Sequence, residues 1–200
     1  MNEQQSGRSR QRQPWRLAVT GSAGVGKTTL ATHLAQALQV PLIPEGMRAR
    51  LESGLDLHAL GRDGLRDLVC TLFDEAMAHT RAAVTAGEGF VADRCTLDFL
   101  AFWLFYGFGT DDTATSRMVD AAAAALVHYD AVVVLPWGAI PLADDGVRTA
   151  NPWLQLHYQM LLEGLLARRC GSLPLLAMPE RVVGVQARAD WILDRLVEAP

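Results

Sequence analysis

Short apolar runs alternate with longer amphipathic stretches along most of the chain. Residues 16–20 (RLAVT) form a short apolar run that predicts a strand, followed at once by a glycine-rich turn, GSAGVGKT. From Thr29 to Leu38, Leu30, Leu34 and Leu38 recur at helical spacing and predict a helix. Residues 41–44 (PLIP) predict a brief second strand, with Glu45 just past its end. The stretch 62–86 carries Leu65, Leu68, Val69, Leu72, Phe73, Ala76 and Met77 on one helical face and closes at Gly87 and Gly89. Residues 90–92 predict a third strand ending in Asp93 and Arg94, followed by an apolar helix over 97–106 and an alanine-rich one over 116–128. The run AVVVL at 131–135 is continuous and β-branched, as buried parallel strands are. A loop over 137–151, a helix over 152–169 with Pro152 at its start, a strand over 173–177 and a closing helix over 181–198 complete the pattern. Strand–helix alternation of this kind predicts an α/β fold, a parallel sheet with helices on both faces. In such folds ligands bind beyond the carboxyl ends of the strands, where the glycine-rich turn, Glu45 and Asp93 all fall.

At 200 residues the chain fits one domain, read as 15–200 behind a basic, disordered tail over 1–14. Residues 1–13 hold Arg8, Arg10 and Arg12 against Glu3, so the remainder carries about −6 of the formal net charge of −4. A body of that sign does not suit a nucleic-acid groove. No apolar run is long enough to span a bilayer, and the N-terminus shows no secretory pattern. Cys70, Cys95 and Cys170 are far apart in sequence and read as reduced thiols of a cytoplasmic protein.

The segment Gly21-Ser22-Ala23-Gly24-Val25-Gly26-Lys27-Thr28 matches G-x-x-x-x-G-K-[ST] at every fixed position, and it lies between a strand and a helix. Its glycines let backbone N–H groups turn inward around a phosphate, and the helix that follows aims its positive end at the same anion. Gly21 to Thr29 are therefore the expected nucleotide-binding residues. Lys27 would reach the β- and γ-phosphates and Thr28 would ligate Mg²⁺. Of 18 basic residues, Lys27 is the only lysine. A compact ammonium fits between phosphates where a planar guanidinium does not.

Asp93 stands where a carboxylate would hold Mg²⁺ or activate an acceptor, so Thr28 and Asp93 form the expected metal site. Glu45 faces the acceptor side of the crevice, either as a base or substrate contact or as a helix N-terminal carboxylate. Arg94 is open to pairing with Glu45 or touching substrate, and Asp98, one turn on, to ordering Arg94 or a ligand. Arg48 is a further substrate candidate with a solvated face as its alternative. Phe102, Trp103, Phe105 and Tyr106 read mainly as core, with one ring available to stack on an acceptor. Asp144, Asp145, Gly146 and Arg148 occupy the loop after the fourth strand, where small kinases carry a closing lid.

These motifs resemble the P-loop kinase-like ATPase family that includes the nicotinamide riboside kinase domain of the bacterial NAD-biosynthesis regulator. The resemblance is carried by GSAGVGKTTLA, Pro44-Glu45, ADRCTLDFLAFWLFYG at 92–107, AVVVLPWGAIPLADDGVR at 131–148 and Glu180-Arg181. It implies a five-stranded sheet of order 2-3-1-4-5, ATP and Mg²⁺ as cofactors, and phosphoryl transfer to a hydroxyl of a nucleoside-like or other small metabolite. It further implies Lys27, Asp93, Glu45 and, from the lid, Arg148 as catalytic residues, with Glu45, Arg94, Asp98 and Arg48 toward the acceptor. The alternatives are a regulatory ATPase and a non-catalytic ATP-binding protein. A guanine-reading N-K-x-D motif is ruled out by the single lysine, and an oligomeric motor would want a longer chain and a second acid where Arg94 stands, which favours the kinase. A small-molecule partner is expected, nucleic acid and membrane are not, and a homodimer is left open.

Overall fold

The computed structural model describes residues 14–57, 59–141 and 151–198. Five strands form one sheet: β1 (Arg16–Thr20), β2 (Leu42–Ile43), β3 (Phe90–Asp93), β4 (Ala131–Val134) and β5 (Leu175–Ala177). Their order is β2-β3-β1-β4-β5, and all neighbouring pairs are parallel. Leu17 lies opposite Val91 on one side and Ala131 on the other, which places β1 at the centre. The order implied by the resemblance is the order observed.

Because strand side chains alternate faces, the sheet feeds two cores. Leu17, Val19 and Val133 pack with Leu30, Leu34, Ile192 and Leu196, under α1 (Lys27–Leu38) and α7 (Val185–Glu198). Ala18, Val132 and Val134 pack on the other face with Leu72, Phe99, Leu100, Leu162 and Leu166. These come from α3 (Gly61–Thr85), α4 (Thr96–Phe105) and α6 (Pro152–Arg169), beside α2 (Met47–Glu52) and α5 (Asp112–Ala125). Each fully buried leucine contributes roughly 1.5–3 kcal/mol by its removal from water. Three layers result, and every crossover returns the chain to the same sheet edge, so the ends of β1, β2 and β3 meet on one side.

Element boundaries move where capping chemistry sets them. Helix α1 begins at Lys27, two residues before the apolar stripe suggests, because the turn from Gly24 to Gly26 already winds into it. Helix α5 begins at Asp112 instead of 116, since the Asp111 carboxylate accepts the N–H of Ala114 at 3.0 Å. Its C-terminal end passes into a 3₁₀ turn over Leu126–His128. Helix α6 starts where expected, with Asn151 accepting from Trp153 and Leu154 and Pro152 in the first turn. Helix α7 starts at Val185, later than 181, after Gly184 takes a φ of 83°. Among the described residues no helix is long and apolar enough to cross a membrane. The basic residues of the tail, and Asp144, Asp145, Gly146 and Arg148 of the expected lid, lie outside the described residues.

Candidate functional site

The turn after β1 is built so that only glycine fits at its first position. Gly21 has a φ of 140°, and a Cβ there would stand 3.0 Å from the Leu135 carbonyl oxygen. Gly26, at φ 88°, precedes Lys27 and is crowded by the Arg188 guanidinium, 3.3 Å from where a Cβ would be. The loop thus curls tightly onto α1.

Lys27 is buried, and its Nζ donates to the Ser22 carbonyl at 2.6 Å, straddling the loop. Burial and the nearby Arg94 bring its pKa down to about 7, although Glu45, Asp93 and Asp98 pull the other way. The ammonium is short of negative partners, the condition a phosphate would relieve. The Thr28 hydroxyl donates to Asp93 Oδ2 at 2.6 Å across the ends of α1 and β3. Asp93 is 4% exposed, and its Oδ1 has no hydrogen-bond partner. Burial raises its carboxyl pKa, offset by Thr28, Arg94 and Lys27. A buried carboxylate oxygen without a partner, beside a hydroxyl, is a donor set that suits a hard divalent cation.

Arg94 holds the second half of the site. Its backbone takes a φ of 91°, rare for a residue with a side chain, while its N–H donates to Val19 at 3.0 Å. The guanidinium is enclosed: Nε donates to Glu45 Oε1 at 2.5 Å, and Nη1 to Asp98 Oδ1 at 2.8 Å, with the Gly21 carbonyl and Tyr158 hydroxyl both at 3.2 Å. It also lies over the Phe102 ring at 4.8 Å. Two carboxylates at contact distance hold its pKa well above the ordinary arginine value despite burial. Asp98 is fully buried and accepts from Thr20 Oγ1 at 2.5 Å and from the Cys95 N–H at 2.9 Å. The Tyr158 hydroxyl lies 3.1 Å from its Oδ1. Of the contacts open to them, Arg94 makes the pairing with Glu45, and Asp98 orders Arg94. A buried ion network of this kind adds little net stability but is costly to break, and here it ties the P-loop to the end of β2.

Two further residues join this framework without any motif to announce them. Gln159 of α6 accepts the Ser22 N–H at 2.7 Å and donates to the Leu135 carbonyl at 3.1 Å and Glu163 at 2.7 Å. Arg188 of α7 donates to the Val25 carbonyl at 2.8 Å and to the Val182 carbonyl at 3.1 Å, while its buried Nη2 has no partner. Both are polar residues set in the buried stripe of an amphipathic helix: Gln159 beside Tyr158 and Leu162, Arg188 beside Ala189 and Ile192. That mismatch is the only signal the sequence offers for them.

A cavity of about 340 Å³ opens from the loop residue Ala23, with Glu45 and Arg94 at one wall. Phe102, Phe105, Tyr106 and Tyr158 line it from the α4 and α6 segments, Met47 and Leu51 from α2 and Leu65 from α3, together with Leu57, Leu154 and Gln155. Trp103 lies in the core instead. Arg48 is half exposed, pairs at 3.7 Å with Glu52 one turn along α2, and does not line the cavity. Its neighbour Arg50 is bound to Glu75 at 2.6 Å and the Gly46 carbonyl at 3.1 Å. A smaller cavity of about 150 Å³ lies on the other side of the loop, among Gly26, Thr29, Ile140, Gly184 and Arg188.

Comparison with known proteins places this geometry. The chain resembles a deoxyadenosine kinase from M. mycoides solved with bound dATP, at 14% identity and a TM-score of 0.68, over 92% of this chain and 99% of that one. It resembles thymidylate kinase from Ehrlichia chaffeensis at 14% identity and a TM-score of 0.61, over 94% and 100% of the two chains. The NadR protein, solved with NAD and AMP-PNP, aligns at 16% identity and a TM-score of 0.66 over 91% of this chain; the match spans about half of NadR, 49% of its length. At these identities the likeness establishes a shared fold. No curated protein matches the chain in sequence. A family model described as "AAA domain" matches residues 16–178, from the first strand to the residue after the last, and the chain belongs to that P-loop family.

Proposed function

We propose that this protein is an ATP-dependent phosphotransferase that moves the γ-phosphoryl group to a hydroxyl of a small metabolite. The observation that carries this reading is the shared wall between two compartments. The loop that holds Lys27 and Thr28 also contributes Ala23 to the cavity bounded by Glu45 and Arg94. A nucleotide switch needs the first compartment alone; a transferase needs both. The kinase folds to which the chain is similar support the same reading.

In this mechanism the loop N–H groups and Lys27 hold the β- and γ-phosphates and stabilise charge on the transferring group. Thr28 and Asp93 would hold Mg²⁺, which when bound neutralises phosphoryl oxygens. Of the two carboxylates Glu45 is the one that lines the acceptor cavity, and it is the one placed to take the acceptor's proton. Glu45 is engaged by Arg94 and orients the acceptor hydroxyl. The apolar cavity walls exclude water that would otherwise compete as acceptor. The free cysteines suit the reducing cytoplasm proposed for the protein.

The test is mass-spectrometric detection of a product 80 Da heavier than the acceptor, formed from ATP by wild type and by Asp93→Ala. We expect Asp93→Ala to lower turnover at least a hundredfold while triphosphate affinity changes less than about fivefold. Unchanged turnover would remove Asp93 from the mechanism.

A further inference from the structure

We infer that the acceptor is an uncharged and largely apolar alcohol, and that the cavity discriminates against nucleosides and, more strongly, against their monophosphates. The inference rests on the phosphotransfer reading for its reaction, and on the cavity alone for its chemistry. Most of the lining residues are apolar, Met47, Leu51, Leu57, Leu65, Phe102 and Phe105 among them. Such surface gains by covering carbon and offers nothing to a ribose diol or to the polar edge of a base. A buried hydroxyl or ring nitrogen left without a partner is penalised, whereas an apolar body is not.

Of the described polar groups at the wall, Arg94, Glu45 and Tyr158 are engaged with one another or with Asp98, and only the Tyr106 hydroxyl and the Gln155 amide stand outside that cluster. Arg94 directs its Nε and Nη1 to Glu45, Asp98, the Gly21 carbonyl and Tyr158, and the Tyr158 hydroxyl lies against Asp98. The Arg94 guanidinium is matched at contact distance by Glu45 and Asp98, so its charge is already engaged and is not offered to an acceptor phosphate. Arg94 is the sole cation among the described residues lining the cavity. The arginines next in sequence to lining residues, Arg48, Arg50 and Arg66, are paired with Glu52, Glu75 and Asp111. Glu45 remains at the end nearest the loop, where a single hydroxyl would meet it while the rest of the acceptor lies among leucines and aromatic rings. The acceptor class is therefore a ring or branched chain ending in one primary hydroxyl. Transfer breaks the bond between the γ-phosphorus and its bridging oxygen, forms a phosphorus–oxygen bond to the acceptor, and gives ADP and the alkyl phosphate, with the hydroxyl proton passing to Glu45.

The experiment is a competition panel with the full chain, comparing 2-naphthylmethanol and geraniol with uridine, adenosine, UMP and AMP. Binding is read by calorimetry with AMP-PNP and Mg²⁺ present, and transfer by product mass with ATP. We expect at least one of the apolar alcohols to bind tenfold or more tighter than either nucleoside and to be phosphorylated with the higher kcat/KM, with the monophosphates weakest. Leu65→Gln, which adds an amide to a half-buried helical position, should lower apolar binding and narrow that ratio at least threefold. Tighter binding of a nucleoside or monophosphate, or binding of none of the panel, overturns the inference. Selective binding of an apolar alcohol without transfer to any compound supports the inference and instead removes the phosphotransfer reading.

Discussion

Lys27 combines two unusual properties: it is the only lysine in the sequence, and the fold buries it with its pKa brought down to about 7. Between that value and the ordinary 10.5, the unfolded chain binds more protons at this residue than the folded one. The cost of burying the ammonium is therefore fully present below pH 7 and is relieved as pH rises. A triphosphate reverses the balance by favouring the charged form, so binding above pH 7 takes up a proton. We expect triphosphate affinity to fall by up to tenfold from pH 7.5 to 8.5, with calorimetric heats that vary with buffer ionisation enthalpy; buffer-independent heats at pH 8 would contradict this. Asp98 makes a different residue-scale case. Removing its carboxylate leaves Thr20 and the Cys95 N–H without their acceptor and Arg94 with one counter-charge fewer. Asp98→Ala should cost about 3–5 kcal/mol in urea unfolding, and a loss below 1 kcal/mol would show the network to be slack.

At the scale of elements, sequence periodicity located the helices but not the atoms that end them. Helix α5 was read from 116 because apolar spacing begins there, whereas its start is fixed by the Asp111 cap. Helix α1 was read from Thr29 because glycine carries no periodic signal. The strands were legible where they are buried on both faces, as in β4, and least so at the sheet edge, where β5 keeps only Leu175–Ala177 of the run 173–177. The link between α7 and the P-loop was not legible at all, since it depends on Arg188 meeting the Val25 carbonyl 163 residues away. Arg188→Gln shortens that reach and removes a fixed donor. We expect triphosphate affinity to weaken three- to tenfold in calorimetry while unfolding midpoints shift little. An unchanged affinity would mean that the loop holds its shape without α7.

Over the whole molecule, the alternation of strands and helices was enough to foresee a parallel sheet, and the motif resemblance supplied its order. The carboxyl-end rule brings the P-loop, Glu45 and Asp93 together from the strand pattern alone. What it could not supply is the way long-range partners use each other. Glu45 and Arg94 are 49 residues apart and Ser22 and Gln159 are 137 apart, yet both pairs are in direct contact. Periodicity is a local signal and does not see such pairs. Nor did it give the apolar character of the acceptor cavity, whose walls come from α2, α3, α4 and α6, far apart in sequence. The account as a whole depends on the phosphate-binding loop. Titration of purified protein with Mg²⁺ and ATP by calorimetry tests that most directly: wild type should show saturable binding near one nucleotide per chain, and Lys27→Ala should lose it. No heat from wild type, or equal binding by Lys27→Ala, would contradict the account.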